Sequence, residues 1–587
     1  MKFRCLPIVI LIFCLFSLSK AQEIIHLKSI EFKGIDFSQN KLLSLCKLIK
    51  NQPVSKNTIQ FATENLIKGL QEEGYLYAHI DSVREQRDHS ENRINFIFFG
   101  DPGHNVYLGT VDILSDSLNA DDYLNRLSVR AGEPYASAIL EKDFDDLLQY
   151  AAEEGFPFAE IEVSEVKIKD SGDEHLTADV NIHIIEGQKV FINNIFIEGN
   201  TYTKDEVILR ELGITKGMEY KKSRIDRIPQ RLNRMQIFKN VKDPVLLYEK
   251  QDSVAIQIGV EEGNATTFDG VVGYIPDPNS SNGINGYSTG LVDLTFGNLF
   301  GSARKFYVHW KKPDVNSEEF ELYYTEPWVL NYPVDLSLGF ERLVRDTSFV
   351  QWNSKINAKV RLFENLSFLG GLSRKTAYPD STASRDLRLL SNEIINLEAG
   401  IEYDTRDYPV NPRSGIYYQS SYTYGFKNNL GPAYVIREDS VAKKEEVQSI
   451  SLKFAFYYNL WSNQVLSMEL TGKQIKGDRL QLTDYFWFGG SRSLRGYREN
   501  QFRGDIVSWV NLEYRFILNR NSRVFLFSDW GFYQDSGIKP KRNEILPGYG
   551  LGIRFNSPLG ILGVDYGLGK GDGFGDGKIH FGIVNRF

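Results

Sequence analysis

From residue 264 to the C-terminus the sequence alternates between apolar and polar residues. VDLSLGFE (334–341) sets Val334, Leu336, Leu338 and Phe340 on one face and Asp335, Ser337, Gly339 and Glu341 on the other. INLEAGIEY (395–403) repeats the pattern, with Asn396, Glu398, Gly400 and Glu402 on the polar side, and LSMELTGK (466–473) and VNLEYRF (510–516) follow it. A period of two is that of a β-strand with two different faces. No stretch of helical period interrupts the run. A soluble sandwich also alternates, but it rarely needs so many strands in one unbroken series. Charged residues on the non-apolar face suit a water-filled lumen, and apolar and aromatic residues on the other face suit lipid. At about 20 residues per strand and connection, residues 264–587 accommodate about 16 antiparallel strands. The expectation is an all-β transmembrane barrel. Glu398 and Glu402 then read as lumen lining.

The rest of the chain is organised differently. Its 587 residues exceed one ordinary domain, and 42% are hydrophobic, with 38 Phe and 31 Tyr. A formal charge of −8 argues against nucleic acid as a partner. Lys2 and Arg4 precede an apolar run from Leu6 to Leu18, and Ser19-Lys20-Ala21 supplies small residues for cleavage before Gln22. Residues 1–21 therefore read as a secretory signal peptide. Cys14 lacks the small residues that precede a lipoprotein cysteine. Cleavage leaves Cys46 alone, so no internal disulfide is expected. No later apolar run approaches the ~20 residues of a transmembrane helix, which does not bear on a barrel.

The first half repeats itself. EEGYLYAHI (72–80) and EEGFPFAEI (153–161) align without a gap, and Pro53 and Pro134 keep the same offset of 81 residues. A third copy is weaker: GEPY (132–135) recurs as GMEY (217–220), and RMQIFKNV (234–241) falls where the next Gly-aromatic pair is due. The copies close on FIFFGDPG, NIHIIEG and IGVEEG. Each opens with a strand, continues with two helical segments and ends with two strands. In the second copy Leu140, Phe144, Leu147, Leu148 and Ala151 share a helical face. The order β-α-α-β-β predicts a three-stranded sheet covered by a helix pair. Such units offer sheet edges to an extended peptide, or serve only as spacers. Repeats of this size, with the Gly-aromatic turn before the second strand, resemble polypeptide-transport-associated (POTRA) domains. The boundaries read as 22–103, 104–187 and 188–263, with the barrel over 264–587.

Five further segments extend the resemblance: NLFGSAR (298–304), YTEPW (324–328), DTRDYPVNPRSG (404–415), LRGY (494–497) and FSDWG (527–531). Together, in this order behind three POTRA-like units, they resemble the POTRA-plus-barrel outer-membrane assembly superfamily of the BamA and TamA type, the bacterial surface antigen family. The count of three repeats is nearer to TamA-like members. The hairpin motif places Asp404, Arg406, Pro412 and Gly415. The chain ends KIHFGIVNRF; a final Phe587, with Phe581 and Gly582 upstream, resembles the C-terminal sorting signal of outer-membrane barrels, although Asn585 departs from the usual hydrophobic residue.

The most diagnostic segment is FGGSRSLRGYREN (488–500), with Gly489 and Gly490 ahead of Arg495, Gly496 and Tyr497. In the family this loop folds back into the barrel and its arginine meets acidic groups. The alternation puts Glu513 on one face of VNLEYRF with Asn511 and Arg515, and Asp529 on the corresponding face of the next strand. The resemblance therefore implies an arginine anchored by Asp529 and Glu513. The roles of Arg492 and Arg498 stay open.

The implied function is outer-membrane protein assembly or translocation. POTRA domains in the periplasm of a Gram-negative bacterium would receive unfolded outer-membrane or secreted clients. The barrel, in the outer-membrane lipid bilayer, would assist them near the seam between its first strand, close to TTFDGVVGY (266–274), and its last. Periplasmic or inner-membrane accessory proteins are candidate partners. The alternative is a dedicated two-partner-type translocator exporting one substrate through the lumen. An enzyme is not expected: the eight histidines are scattered, and no metal spacing, serine elbow or paired-acid motif is in context. No cofactor or metal is expected.

Overall fold

The computed structural model describes residues 25–583, apart from 35–36, 56, 89–91, 171, 173–174, 251, 277–285, 313–315, 347, 538–541 and 558–559. The signal-peptide residues and Phe587 lie outside the described residues.

The first repeat is built as its periodicity predicts. Strand His26–Lys33 is followed by helices Gln39–Leu45 and Thr58–Glu72 and strands His79–Asp88 and Arg93–Asp101. The third strand sits in the middle of the sheet, parallel to the first and antiparallel to the second. Helix Gln39–Leu45 starts where the Ser38 side chain accepts from Lys41 N, a standard use of serine at an N-cap. Leu27, Ile30, Phe96 and Phe98 from the sheet meet Leu42, Leu66 and Leu70 from the helices in one core. Cys46 is buried in it, and burial pushes its thiol up to about 12.

The second repeat has the same order: Val106–Ser115, Ala120–Leu124, Ser137–Glu153, Glu160–Asp170 and Leu176–Ile185. Leu140, Leu147 and Ala151 face the core, with Phe144 packed at its margin. A polar residue joins that face: Asp143 is buried because Ser128 N, Ser128 Oγ and Val129 N all donate to it, at 2.9, 2.6 and 3.1 Å. Gly74 and Gly155 hold φ of +95° and +99° in the turns before the second strands, which is why the first two copies spell a glycine there.

The third repeat keeps the plan and breaks one strand. Phe191–Glu198, helix Asp205–Leu212, helices Lys222–Asp226 and Ile228–Arg234, and strand Ser253–Glu262 are in place, but the penultimate strand is split into Phe238–Val241 and Val245–Lys250. Pro244, with no N–H to donate, stands in the gap. Gln236 occupies the position of Gly74 and Gly155 and takes φ of +61°. Glu186 and Glu262 close the second and third repeats in the same way, each carboxylate gathering the N–H groups of the loop after the first strand. Glu262 accepts from Thr201, Tyr202 and Thr203 N at 3.0, 2.9 and 2.6 Å. Burial alone would raise its pKa, yet these bonds and the Thr201 hydroxyl hold it down at about 2.

Residues 266–583 form one antiparallel sheet of sixteen strands in sequence order. They are β1 (Thr266–Pro276), β2 (Gly286–Leu299), β3 (Arg304–Lys312), β4 (Glu318–Glu326), β5 (Val334–Arg345), β6 (Phe349–Arg361), β7 (Leu366–Pro379), β8 (Ser391–Asp404), β9 (Gly415–Gly431), β10 (Lys444–Trp461), β11 (Gln464–Gly477), β12 (Ile506–Asn519), β13 (Ser522–Asp535), β14 (Arg542–Ser557), β15 (Gly560–Leu568) and β16 (Lys578–Ile583). The sheet's strands pair in chain order, the up-and-down arrangement of antiparallel neighbours, with one long connection between β11 and β12.

The two faces differ as the alternation requires. Leu338, Ile356, Leu372 and Leu397 are register partners across β5–β8, and all are exposed on the outer face. On the inner face charges pair: Glu341 with Lys355 at 2.6 Å, Asp335 with Arg361 at 2.9 Å, and Glu402 with Lys359. Apolar groups outward and satisfied polar groups inward are what a lipid-embedded barrel needs.

Candidate functional site

The connection between β11 and β12, residues 478–505, turns inward. Two short strands, Phe486–Phe488 and Phe502–Gly504, pair and carry the tip. The tip reverses on glycines: Gly489, Gly490 and Gly496 have φ of +119°, +90° and +89°. Gly489 N donates to Ser493 Oγ at 2.8 Å, and Gly490 N to Leu494 O at 3.0 Å. Phe488, Leu494 and Tyr497 pack with Val507, Tyr533 and Leu546. Phe488 stacks on Trp509 at 5.8 Å between ring centroids. An apolar knot on the inner wall thus fixes the base of the tip.

Arg495 stands beyond that knot, 4% exposed. Its Nε and one terminal nitrogen donate to the two oxygens of Asp529, both at 2.8 Å, and its backbone N donates to Asp529 Oδ2 at 3.0 Å. The other terminal nitrogen donates to Glu513 Oε1 at 2.6 Å. The guanidinium lies 3.8 Å above the centroid of the Phe527 ring. A planar fork fits two carboxylates at fixed angles, which an ammonium cannot do. Glu513 is shared: its second oxygen accepts from Arg515 Nε at 2.7 Å, and Arg515 reaches Glu469 at 3.3 Å. Charges therefore alternate from Asp529 through Arg495, Glu513 and Arg515 to Glu469 along β11–β13. Asn511, on the same face, donates to Ser493 O at 2.8 Å.

The residues after Arg495 complete the seat. Tyr497 OH donates to Pro547 O at 2.8 Å and accepts from Lys570 N at 2.9 Å. A Cβ at Gly496 would lie 2.6 Å from the Leu568 carbonyl, and one at Gly548 would lie 2.3 Å from Arg495 O. Backbone lies on backbone there, and only glycine permits it. The structure thus brings together Gly489, Gly490, Arg495, Gly496, Tyr497, Asp529 and Glu513. Arg492 and Arg498 are exposed.

The hairpin residues form a separate cluster at the turn between β8 and β9. Arg406 makes a two-point contact with Asp404, at 2.9 and 2.8 Å. Pro412 is buried, and Gly415 has φ of +106°, with Thr405 O at 2.5 Å from where a Cβ would stand. Phe581 is exposed on β16, next to Gly582.

Sequence reasoning did not find where the third repeat meets the barrel. Glu211, on helix Asp205–Leu212, accepts from Trp328 Nε1 at 3.1 Å and from Arg361 at 2.7 Å, and Arg361 also holds Asp335. Arg234 donates to Asn365 Oδ1 at 3.0 Å, and Arg520 to Asn233 Oδ1 at 2.6 Å. Trp328 belongs to YTEPW, so the motif was visible while its partner was not.

Residues 298–587 match the profile of the Omp85 superfamily domain, and residues 25–100, 106–187 and 190–263 match POTRA, the surface antigen variable number repeat. The chain is similar to the outer membrane protein assembly factor BamA of Nitratidesulfovibrio vulgaris, 26% identical over 542 residues, covering 87% of this chain and 65% of that protein. It is similar also to the BamA of Neisseria meningitidis serogroup B, 24% identical over 298 residues, covering 47% of this chain and 36% of that protein. The chain therefore spans less than two thirds of the length of these relatives. Among solved structures, CdiB from Escherichia coli has the same fold, with a TM-score of 0.50 at 14% identity over 88% of this chain and 94% of that one. With three POTRA repeats, a sixteen-stranded sheet and the inward Arg-Gly-Tyr loop, the chain belongs to the Omp85 superfamily of outer-membrane barrels that carry periplasmic POTRA domains.

Proposed function

We propose that this protein is an outer-membrane assembly factor, in which the POTRA repeats receive unfolded client polypeptides and the barrel assists their insertion into or passage across the membrane. It acts as a binding and folding surface rather than as an enzyme. The observation that carries the reading is the outer strand of the second repeat. Glu160–Asp170 lies at the edge of its sheet, and Val163, Val166 and Ile168 along it are exposed. An edge strand presents unpaired N–H and C=O groups, so an extended client can add to it, with apolar residues at hand for its side chains. The similarity to assembly factors over 542 residues supports the same reading.

Depletion followed by proteomics of the outer membrane tests it. Loss of many barrel proteins together is the expected outcome. Loss of one secreted protein, with the barrels unchanged, refutes it in favour of a dedicated exporter.

A further inference from the structure

The loop that carries Arg495 is attached to the barrel a second time. Its first limb, residues 478–484, bonds to β6, β7 and β9, and the next residue, Tyr485, already bonds to Asp535 at the end of β13. Lys427 on β9 and Asp484 on the limb are both wholly buried at their side chains, with Nζ to Oδ2 at 2.6 Å. The same Oδ2 accepts from Gln481 N at 2.9 Å. Thr483 O accepts from Gln351 Nε2 on β6 at 3.0 Å and from Lys375 Nζ on β7 at 2.8 Å. Gln481 Oε1 accepts from Leu390 N, in the connection between β7 and β8, at 2.9 Å. The limb thus belongs to the wall β6–β9. The tip belongs to the wall β12–β15, through Asn511, Glu513, Asp529, Pro547 and Leu568. In the sheet, β10 and β11 separate the two walls.

We propose that residues 478–498 form a strut across the lumen. The pair Asp484–Lys427 is the positioning pair at one end, Arg495 with Asp529 and Glu513 holds the other, and the two ends release independently. Among the described residues they share no residue and no hydrogen-bond partner, which is the condition for additive effects. Between them Phe488, packed against Trp509 and Tyr533, holds the ribbon to the β12–β13 wall, so release of the limb is not passed to the tip. The strut adds a second tie between walls already joined through β10 and β11, whichever clients the barrel serves. It goes beyond the assembly reading, and its test reads loop position rather than assembly.

The test is limited trypsin digestion of the full-length, detergent-solubilised protein. The faster migration of the unheated sample on a gel certifies a folded barrel. Cleavage after Arg479 reports the limb, and cleavage after Arg492 and Arg498 reports the tip. Asp484→Asn should speed the limb cut about tenfold or more, because it leaves Lys427 buried without its counter-charge. The tip cuts should stay within about twofold of the native rates. Lys427→Met should match Asp484→Asn, and Lys427→Arg, which keeps a cation opposite Asp484, should stay within about threefold of native. An unchanged limb cut in a folded Asp484→Asn barrel overturns the proposal, as does a tip freed as fully as by Arg495→Ala. Should Asp484→Asn not fold, hydrogen exchange on Arg495→Ala decides instead. The Gln481 and Asp484 amides should keep native protection while the Gly490 and Arg495→Ala amides exchange about tenfold faster or more. Loss of protection at the limb overturns the strut.

Discussion

Replacing Arg495 by alanine removes three side-chain hydrogen bonds and leaves the fourth, from the backbone N to Asp529. Breaking a buried pair by removing one partner costs about 3–5 kcal/mol, because a desolvated charge is left alone. The structure says which charge that is. Glu513 keeps Arg515 at 2.7 Å, whereas Asp529, at 0% exposure, keeps only the backbone N–H among its Arg495 contacts. The stranded group is Asp529, and the retained N–H places the loss at about 3 kcal/mol, near the low end. The contact with Phe527 adds about 1 kcal/mol. A total of about 4 kcal/mol lowers the ratio of seated to unseated tip by about a thousandfold. The assay is the rate of tryptic cleavage after Arg492 and Arg498 in the detergent-extracted barrel, with unheated gel mobility as the control for folding. Arg495→Lys should recover only part of the protection, since one ammonium replaces a three-point fork. Asp529→Asn in the Arg495→Ala background should restore more protection than Glu513→Gln does. If Arg495→Ala and Asp529→Asn act additively, or if neither changes cleavage, the two residues are not partners and the seat is wrongly assigned.

Two further predictions concern the repeats. A fragment of residues 25–192 should be soluble and unfold cooperatively, since each of its repeats owns a core of sheet and helix residues; Gly155→Ala should lower its urea-derived stability by about 1–2 kcal/mol, the cost of placing a side chain at φ of +99°. The same fragment should lose stability on acidification below the ordinary carboxylate pKa. Burial would raise Glu186, but the Ser115 hydroxyl, Asp116 N and Tyr123 OH together hold it below its usual value. The folded state therefore binds fewer protons than the unfolded state in that window, so stability rises with pH through it and is flat above. Glu186→Gln should flatten the dependence of the urea midpoint between about pH 3 and pH 5, and an unchanged slope would exclude Glu186 as its source.

The strands and the Arg495 seat were legible because both rest on a period of two, while the strand count rested on about 20 residues per strand and connection. Once VNLEYRF and FSDWG are strands, parity sends Glu513, Arg515 and Asp529 to one side, and the lumen is the only place for them. The Arg495 partners followed from parity together with the family resemblance. The second anchor had no such handle. Lys427 sits beside exposed Phe426, so parity turns it inward, but Asp484 lies 57 residues later in a limb without regular structure. Nothing periodic ties a loop carboxylate to a strand. The third repeat was dim for a related reason. Gln236 adopts the positive φ that glycine advertises in the other two copies, and Pro244 splits a strand that the repeat pattern predicts whole. Glu211 illustrates the remaining limit: its partners Trp328 and Arg361 lie 117 and 150 residues away, and a docking surface between a helix and a set of turns has no period to read.

The glycine-on-glycine seat has a consequence for how this loop can drift in sequence. A Cβ at Gly567 would stand 2.6 Å from Gly496 N, and one at Gly569 would stand 2.8 Å from Gly496 O. Together with Gly548 against Arg495 O, these positions form a mutual exclusion volume: none gains a methyl group without the opposing backbone backing away. Charge can be exchanged across a salt bridge by paired substitutions. An absent side chain has no counterpart to exchange. A lineage that departed from glycine at one of these sites would have to move the loop itself, so this patch is a ratchet on variation that is independent of the ionic chemistry beside it.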